Sequence, residues 1–205
     1  MDIKEALKQL RSAEKRKFSQ SIDLIINLKG LDLRKDNINA IATISHPFKQ
    51  KKVCGFLTKK SELVKTVTNL DFPKYRDKDA LKNLVKEFDF FIANMALMPA
   101  VATTFGKSLG PTGKMPSPQL GVLTKEDDAA IKQLLDKIDH SVKIRLKEPS
   151  FKISVGKESM PDEQIIENAL AVYNSLINVL PTKKENVKSI LLKLTMGKPI
   201  KVEIK

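Results

Sequence analysis

The chain has 205 residues, with 37 Lys and Arg against 24 Asp and Glu, a formal charge of +13. One or two domains with real cores are expected at this length, and 41% hydrophobic with 30% charged residues excludes a disordered polycation, so the basicity sits on a folded body. A single cysteine, Cys54, excludes an internal disulfide and reads as a small buried hydrophobe; with His46 and His140 as the two imidazoles no Cys/His zinc site can be assembled, and neither metal nor cofactor is expected.

Asp2 can cap a helix whose Ile3, Ala6, Leu7, Leu10 and Ala13 recur at helical spacing, ending in Lys15-Arg16-Lys17, where cations suit the helix dipole. Met1-Asp2-Ile3-Lys4-Glu5 has neither the basic stub nor the apolar stretch of a signal peptide. The apolar run Phe90 to Ala93 falls far short of the ~20 residues of a membrane span. A cytoplasmic chain without membrane contact is therefore expected. Ile22 to Leu28 alternates as a strand, with Ile22, Leu24 and Ile26 on one face, and Ile38 to Ser45 alternates as a second.

His46-Pro47-Phe48-Lys49-Gln50-Lys51-Lys52 is polar, basic and broken by proline, a candidate crossing into another domain, and Glu148-Pro149-Ser150 is its counterpart. Between them the pattern becomes α/β: a strand at Val53 to Leu57, a helix from about Ser61, a helix from Lys78 to Lys86, a strand at Asp89 to Ala93 and a helix from Thr124 to Ile138. Thr124 to Asp127 has the shape of a capping box, and Glu126-Asp127-Asp128 reads as a solvated first helical turn. Beyond the second crossing come a strand with Phe151, Ile153 and Val155 on one face and a long helix opened by Pro161-Asp162-Glu163. The buried stripe of that helix is expected at Ile166, Ala169, Leu170, Tyr173, Leu176, Ile177 and Leu180. Strands at Ser189 to Thr195 and Ile200 to Ile204 close the chain around a turn at Met196-Gly197-Lys198-Pro199.

Gly106-Lys107-Ser108 imitates the end of a P-loop, but Val101 stands where the required first glycine belongs, so a nucleotide cradle is not expected. The stretch Phe105 to Pro116 reads either as a flexible loop or as a surface whose amides, with Lys107 and Lys114, meet RNA phosphates. His46 and His140 lack a nucleophile context, so no enzyme is expected. With 5% aromatic residues and no Trp, base stacking on a sheet is a poor model, and contacts to RNA shape, sugar and phosphate fit better. Lys17-Phe18 after the first helix and Thr195-Met196-Gly197 at the late turn offer a cation, an aromatic ring, a hydroxyl, a flexible apolar side chain and a glycine. Phe18 itself reads equally well as core or as a stacking residue.

These segments together resemble the ribosomal large-subunit protein L one family, in its archaeal branch. The resemblance covers nearly the whole chain and rests on Lys17-Phe18-Ser19-Gln20-Ser21-Ile22-Asp23-Leu24, Leu97-Met98-Pro99, Gly106 to Pro116, Val155-Gly156-Lys157, and Lys188-Ser189 leading to Thr195-Met196-Gly197. It implies an α/β protein of two domains. Domain I, residues 1–48 and 148–205, is α+β with a mixed or antiparallel sheet and two helices and grips the stalk of large-subunit ribosomal RNA; domain II, residues 49–147, is an inserted three-layer α/β unit. The implied RNA-binding residues are Lys17, Phe18, Ser21, Lys188, Ser189, Thr195, Met196 and Gly197, with secondary contacts at Lys107, Lys114, Gly156 and Lys157. In members of the family an acidic residue and a Thr shortly follow the Phe, where Ser19, Gln20 and Ser21 stand here. Thr195 and Ser189 hydroxyls are expected on ribose or phosphate, with Gly197 allowing close approach. Also implied are a monomer when free, exit-site tRNA and its own messenger RNA leader as further partners, and translational repression through that leader. The alternatives are a non-specific basic RNA binder and a nucleotide-binding enzyme that uses the Gly106-Lys107-Ser108 stretch. With these boundaries domain I carries +5 and domain II +8, so charge does not choose between them.

Overall fold

A computed structural model describes residues 1–12, 16–31, 38–146 and 148–203. Ala13 and Lys15 of the expected first helix, Lys147 at the expected boundary and Ile204 of the expected last strand lie outside the described residues.

Along the chain, α1 (Ile3–Arg11) starts where the Asp2 carboxylate accepts from the Ile3 amide at 2.8 Å and buries Ile3, Ala6, Leu7 and Leu10. It leads to β1 (Ser21–Leu28), β2 (Asn39–Thr43), β3 (Val53–Phe56) and β4 (Lys65–Val67). A 3-10 helix, Asn69–Arg76, precedes α2 (Lys78–Glu87); β5 (Phe90–Asn94) and a short 3-10 turn lead to α3 (Met98–Thr112). Then follow β6 (Val122–Leu123), α4 (Asp128–Asp139), β7 (Ser141–Arg145), β8 (Ser150–Lys157), α5 (Asp162–Val179), a 3-10 turn, β9 (Val187–Leu194) and β10 (Ile200–Val202).

The chain forms two compact units, Met1–Phe48 with His140–Lys205, and Lys49–Asp139. The second crossing falls eight residues before the expected one because β7 belongs to the first unit: it pairs antiparallel with β2, Thr43 opposite Ser141 and Asn39 opposite Arg145. That pairing adds Val142 and Ile144 to the first core. It also moves three basic residues, leaving the first unit with 21 basic and 13 acidic residues, +8, and the second with 16 and 11, +5.

In the first unit an antiparallel sheet runs β10-β9-β1-β8. Strict alternation in β1 turns Ile22, Leu24, Ile26 and Leu28 to the core, where they meet Ile190, Leu192 and Leu194 of β9 and the buried sides of α1 and α5. The buried stripe of α5 is rotated from the expected one: Ile165, Asn168 and Val172 are buried, while Ile166 and Leu170 are only half-buried. Asn168 explains the turn. Fully buried, it accepts from the His46 amide at 3.1 Å and donates to the carbonyls of His46 at 2.8 Å and Val155 at 3.0 Å, a set of bonds that pulls its face of the helix inward.

The sheet of the second unit is parallel, in the order β4-β3-β5-β6. Both of its faces are buried: Cys54, Phe56, Phe91 and Ala93 on one, Val53, Leu57, Phe90 and Ile92 on the other. On the first face Phe56 stacks 5.7 Å from Phe91 and lies 4.8 Å from Phe105 of α3, centroid to centroid. Burial pushes the Cys54 thiol up to about 12, against Lys65, so it is inert packing.

Three expectations in this unit are corrected. No helix starts at Ser61; β-branched Val64, Thr66, Val67 and Thr68 favour extension, and β4 pairs with β3. The Gly-rich stretch is no loop: Gly106 to Thr112 continue α3, because Val101, Phe105 and Leu109 recur every fourth residue and are completely buried. Gly113, at φ +73°, closes that helix in the left-handed conformation, its amide bonding Gly110 O and the Lys114 amide bonding Leu109 O. Finally α4 begins at Asp128 and not Thr124, because the Glu126 carboxylate is bound elsewhere, and Asp127 takes the capping position, its carbonyl accepting from Ile131.

Candidate nucleic-acid interface

Antiparallel pairing brings the start of β1 and the end of β9 to one end of the first sheet. There the Thr195 amide donates to Ser21 O at 3.0 Å, the Thr195 hydroxyl donates to the same oxygen at 3.1 Å, and the Ser21 amide donates to the Thr195 hydroxyl at 3.2 Å. A hydroxyl has one hydrogen and two lone pairs, so this clasp leaves Thr195 one acceptor position. It can take a hydrogen bond from a ribose 2′-hydroxyl but cannot donate to a phosphate while the clasp holds, which narrows the expected role. Buried Gln20 completes the joint: its Oε1 accepts from the Met196 amide at 3.3 Å and its carbonyl from the Glu158 amide at 2.8 Å. Gln20 was not among the expected site residues; its place one residue before an alternating strand, opposite the turn, could have marked it.

Held out by this framework are two large apolar side chains, Phe18 at 55% exposure and Met196 at 67%. Exposure decides the open reading of Phe18 in favour of a surface residue. Beside it a pocket of about 540 Å³ is lined by Arg11, Arg16, Lys17, Phe18, Ser19, Glu158 and Ser159. Arg11 is committed to structure, its guanidinium bonding Asp162 at 2.8 Å and the carbonyls of Glu158 and Met160, while Lys17 is exposed. Gly197 serves the protein itself: a Cβ there would lie 3.2 Å from the Leu194 Cβ, so glycine keeps the turn tight.

Ser189 and Lys188 lie at the other end of β9, and Ser189 faces Asn27. Six residues of strand, roughly 20 Å, separate Ser189 from Thr195. The two sites are joined by the outer face of the sheet, read from the register as Lys193–Asp23–Ser154, then Leu191–Ile25–Lys152, then Ser189–Asn27–Ser150. In the last row Asn27 Nδ2 donates to Ser189 Oγ at 3.0 Å and Ser150 Oγ donates to Asn27 Oδ1 at 3.0 Å, leaving the Ser189 hydrogen to turn outward. Asp23 is the one acid in these rows; burial raises its pKa, against Lys193 and a hydrogen bond from Ser154, which lower it. The alternation that marked β1 also marks this outer face, and it was the signal not used.

The sequence profile of the ribosomal protein L1p/L10e family matches residues 10–198. The chain belongs to that family. Among relatives called large ribosomal subunit protein uL1, that of Thermofilum pendens is 36% identical over 98% of this chain and 90% of its own length. Those of Nanoarchaeum equitans and Methanothermococcus thermolithotrophicus are 33% and 35% identical, over 96% and 98% of this chain and 97% and 98% of their own lengths. The L1p/L10e family is one of structural ribosomal proteins, not of enzymes.

In this family member the four secondary residues have separate fates. Lys157 is exposed opposite Ser21, at the same sheet end as Phe18 and Thr195. Gly156 is buried, and a Cβ on it would lie 3.0 Å from Ile165, so the glycine admits α5 against the sheet. Lys107 is exposed on α3 in the second unit. Lys114 is spent: its ammonium donates to Val85 O and Phe88 O, both at 2.7 Å, capping the end of α2. No group of His, Cys, Asp and Glu able to hold a metal ion occurs among the described residues.

Proposed function

We propose that the chain is a structural constituent of the large ribosomal subunit that binds large-subunit ribosomal RNA at its stalk, through the open sheet face of the first unit. The observation that carries this reading is the Ser21–Thr195 clasp, which fixes exposed Phe18 and Met196 beside basic residues at one sheet end, 20 Å or so along a half-exposed face of mixed polarity from Ser189. Phe18 and Met196 present faces to ribose or base, Lys17 and Lys157 meet phosphates, and Thr195 and Ser189 read 2′-hydroxyls. Family membership and the names of the relatives support the ribosomal setting, and with it the cytoplasm. Contact with exit-site tRNA and repression through its own leader RNA are finer readings that rest on the resemblance alone.

The test is a titration at moderate and high salt of a stalk fragment against an unrelated hairpin of equal length, for wild type, Phe18→Ala and Thr195→Val. Tight, salt-tolerant preference for the stalk is expected. Loss of the Phe18 ring should cost about fivefold or more, from ~1–3 kcal/mol per stacked base. Equal affinity for both RNAs, collapsing with salt and indifferent to both substitutions, would leave only a non-specific basic surface. A leader-RNA arm with a scrambled control addresses repression.

A further inference from the structure

The second unit contains a set of donors that the reading above does not use. Its sheet order puts β4 on one side of β3 and β5 on the other, so the carboxyl ends of β3 and β5 form the switch point at which open α/β sheets take their ligands. Four donors converge there. The amides of Thr58 and Lys59, adjacent in the chain, point at one carboxylate at 2.7 and 3.2 Å, joined by the Thr58 hydroxyl at 2.9 Å and Asn94 Nδ2 at 2.6 Å. The carboxylate is that of Glu126, on the segment between β6 and α4. Successive amides with a hydroxyl and a carboxamide are the donor set of an anion-binding concavity, and a tetrahedral oxyanion offers the same acceptors as the carboxylate that fills it.

We propose that this cradle at the carboxyl edge of the second unit is a phosphate-binding site, occupied in the free protein by Glu126 and yielded to a phosphate group of a nucleic acid or nucleotide. Two further features agree. Thr58, Lys59, Lys60 and Lys125 are exposed around the cradle, so a ligand can reach it. With Glu126 in place, residues 58–60 and 124–128 carry three lysines against three acids; with it swung out, three lysines face Asp127 and Asp128 alone. Burial raises the Glu126 carboxyl, but the bonds from Thr58, Asn94 and Lys59 outweigh it and hold its pKa below the ordinary value, so it sits there ionised, as a phosphate would. A tethered carboxylate competes at high effective concentration, which makes the wild-type site weak and its exposure conditional.

The experiment titrates inorganic phosphate, and separately a short RNA without terminal phosphates, into the full chain as wild type, Glu126→Ala and Glu126→Ala with Asn94→Ala. Glu126→Ala is expected to bind phosphate at least tenfold more tightly than wild type, and removing the Asn94 carboxamide should abolish the gain. A matching gain for the RNA identifies a backbone phosphodiester as ligand; a gain for phosphate alone identifies a free or terminal phosphate. In wild type, phosphate should shift the amide resonances of Thr58 and Lys59 before others. The proposal is overturned if a folded Glu126→Ala binds no better than wild type, if the gain survives loss of Asn94, or if those two wild-type amides do not move. Glu126→Gln, which keeps an acceptor but not the charge, stands in if the alanine variant does not fold: a rise in its melting temperature with phosphate, larger than the rise in wild type, is then the expected result, and an equal or smaller rise overturns the proposal.

Discussion

The two units use their sheets in opposite ways. In the first, β1 and β9 turn every second side chain to the core and leave the rest, Asp23, Ile25, Asn27, Ser189, Leu191 and Lys193, on a half-buried outer face. In the second, the central strands β3 and β5 are buried on both faces, and the polar groups of the cradle, Thr58, Lys59 and Asn94, stand at or just beyond their carboxyl ends. A sheet covered on one side can present a broad surface to a long polymer; a sheet covered on both can present only an edge, suited to one small group. The RNA reading for the first unit and the phosphate cradle of the second follow this division.

The division is broken most directly by stability. Phe91 is fully buried between Phe56 and Phe88, and Phe91→Ala should cost about 3–5 kcal/mol from lost burial and the cavity left behind. Ile25→Thr, on the outer face of β1, should cost less than ~1 kcal/mol. Shifts of the denaturation midpoint measure both. A comparable loss at Ile25 would mean that the outer face of the first sheet is packed as tightly as a core, and no RNA surface would remain there.

Much of this architecture was legible. Alternation marked β1, β8 and β9, helical spacing marked α1 and α5, and the apolar runs at Val53 and Phe90 marked short buried strands. What could not be read was decided by partners distant in the chain. Ser141 to Arg145 joins the first unit by pairing with β2, a hundred residues earlier. Asn168 is buried because of His46 and Val155, and α4 starts late because Thr58 and Asn94 hold Glu126. At the RNA site the residue types were visible, but not that Thr195 is clasped to Ser21, that Ser189 lies at the far end of the strand, or that Gly156 and Gly197 serve internal packing.

Lys114 sharpens the comparison at intermediate size. If its ammonium caps α2, Lys114→Met loses two charge-assisted bonds to Val85 O and Phe88 O and should cost about 1–3 kcal/mol, while stalk affinity stays as it is. Exposed Lys107→Met should change stability by less than ~0.5 kcal/mol. Thermal melts of the two variants beside one RNA titration are sufficient; a Lys114 variant that is fully stable but binds RNA poorly would return that lysine to the interface.

The smallest effect is expected at Asp23, where the open face carries its single acid. Burial holds its folded pKa above the ordinary carboxyl value of 3.8, so the folded chain keeps the proton longer than the unfolded one. Stability from this group is therefore complete below pH 3.8 and is lost as pH rises through the folded pKa; at neutral pH the ionised carboxylate is a burden only partly relieved by Lys193. Asp23→Asn should raise the melting temperature slightly at pH 7 and not at all below pH 3.8. Removing a negative charge from a surface that meets phosphates should also strengthen RNA binding modestly, and more at low salt than at high. A variant that is more stable at pH 7 but binds RNA no better would detach the charge of this face from recognition, leaving the Phe18 and Thr195 end as the whole of the site.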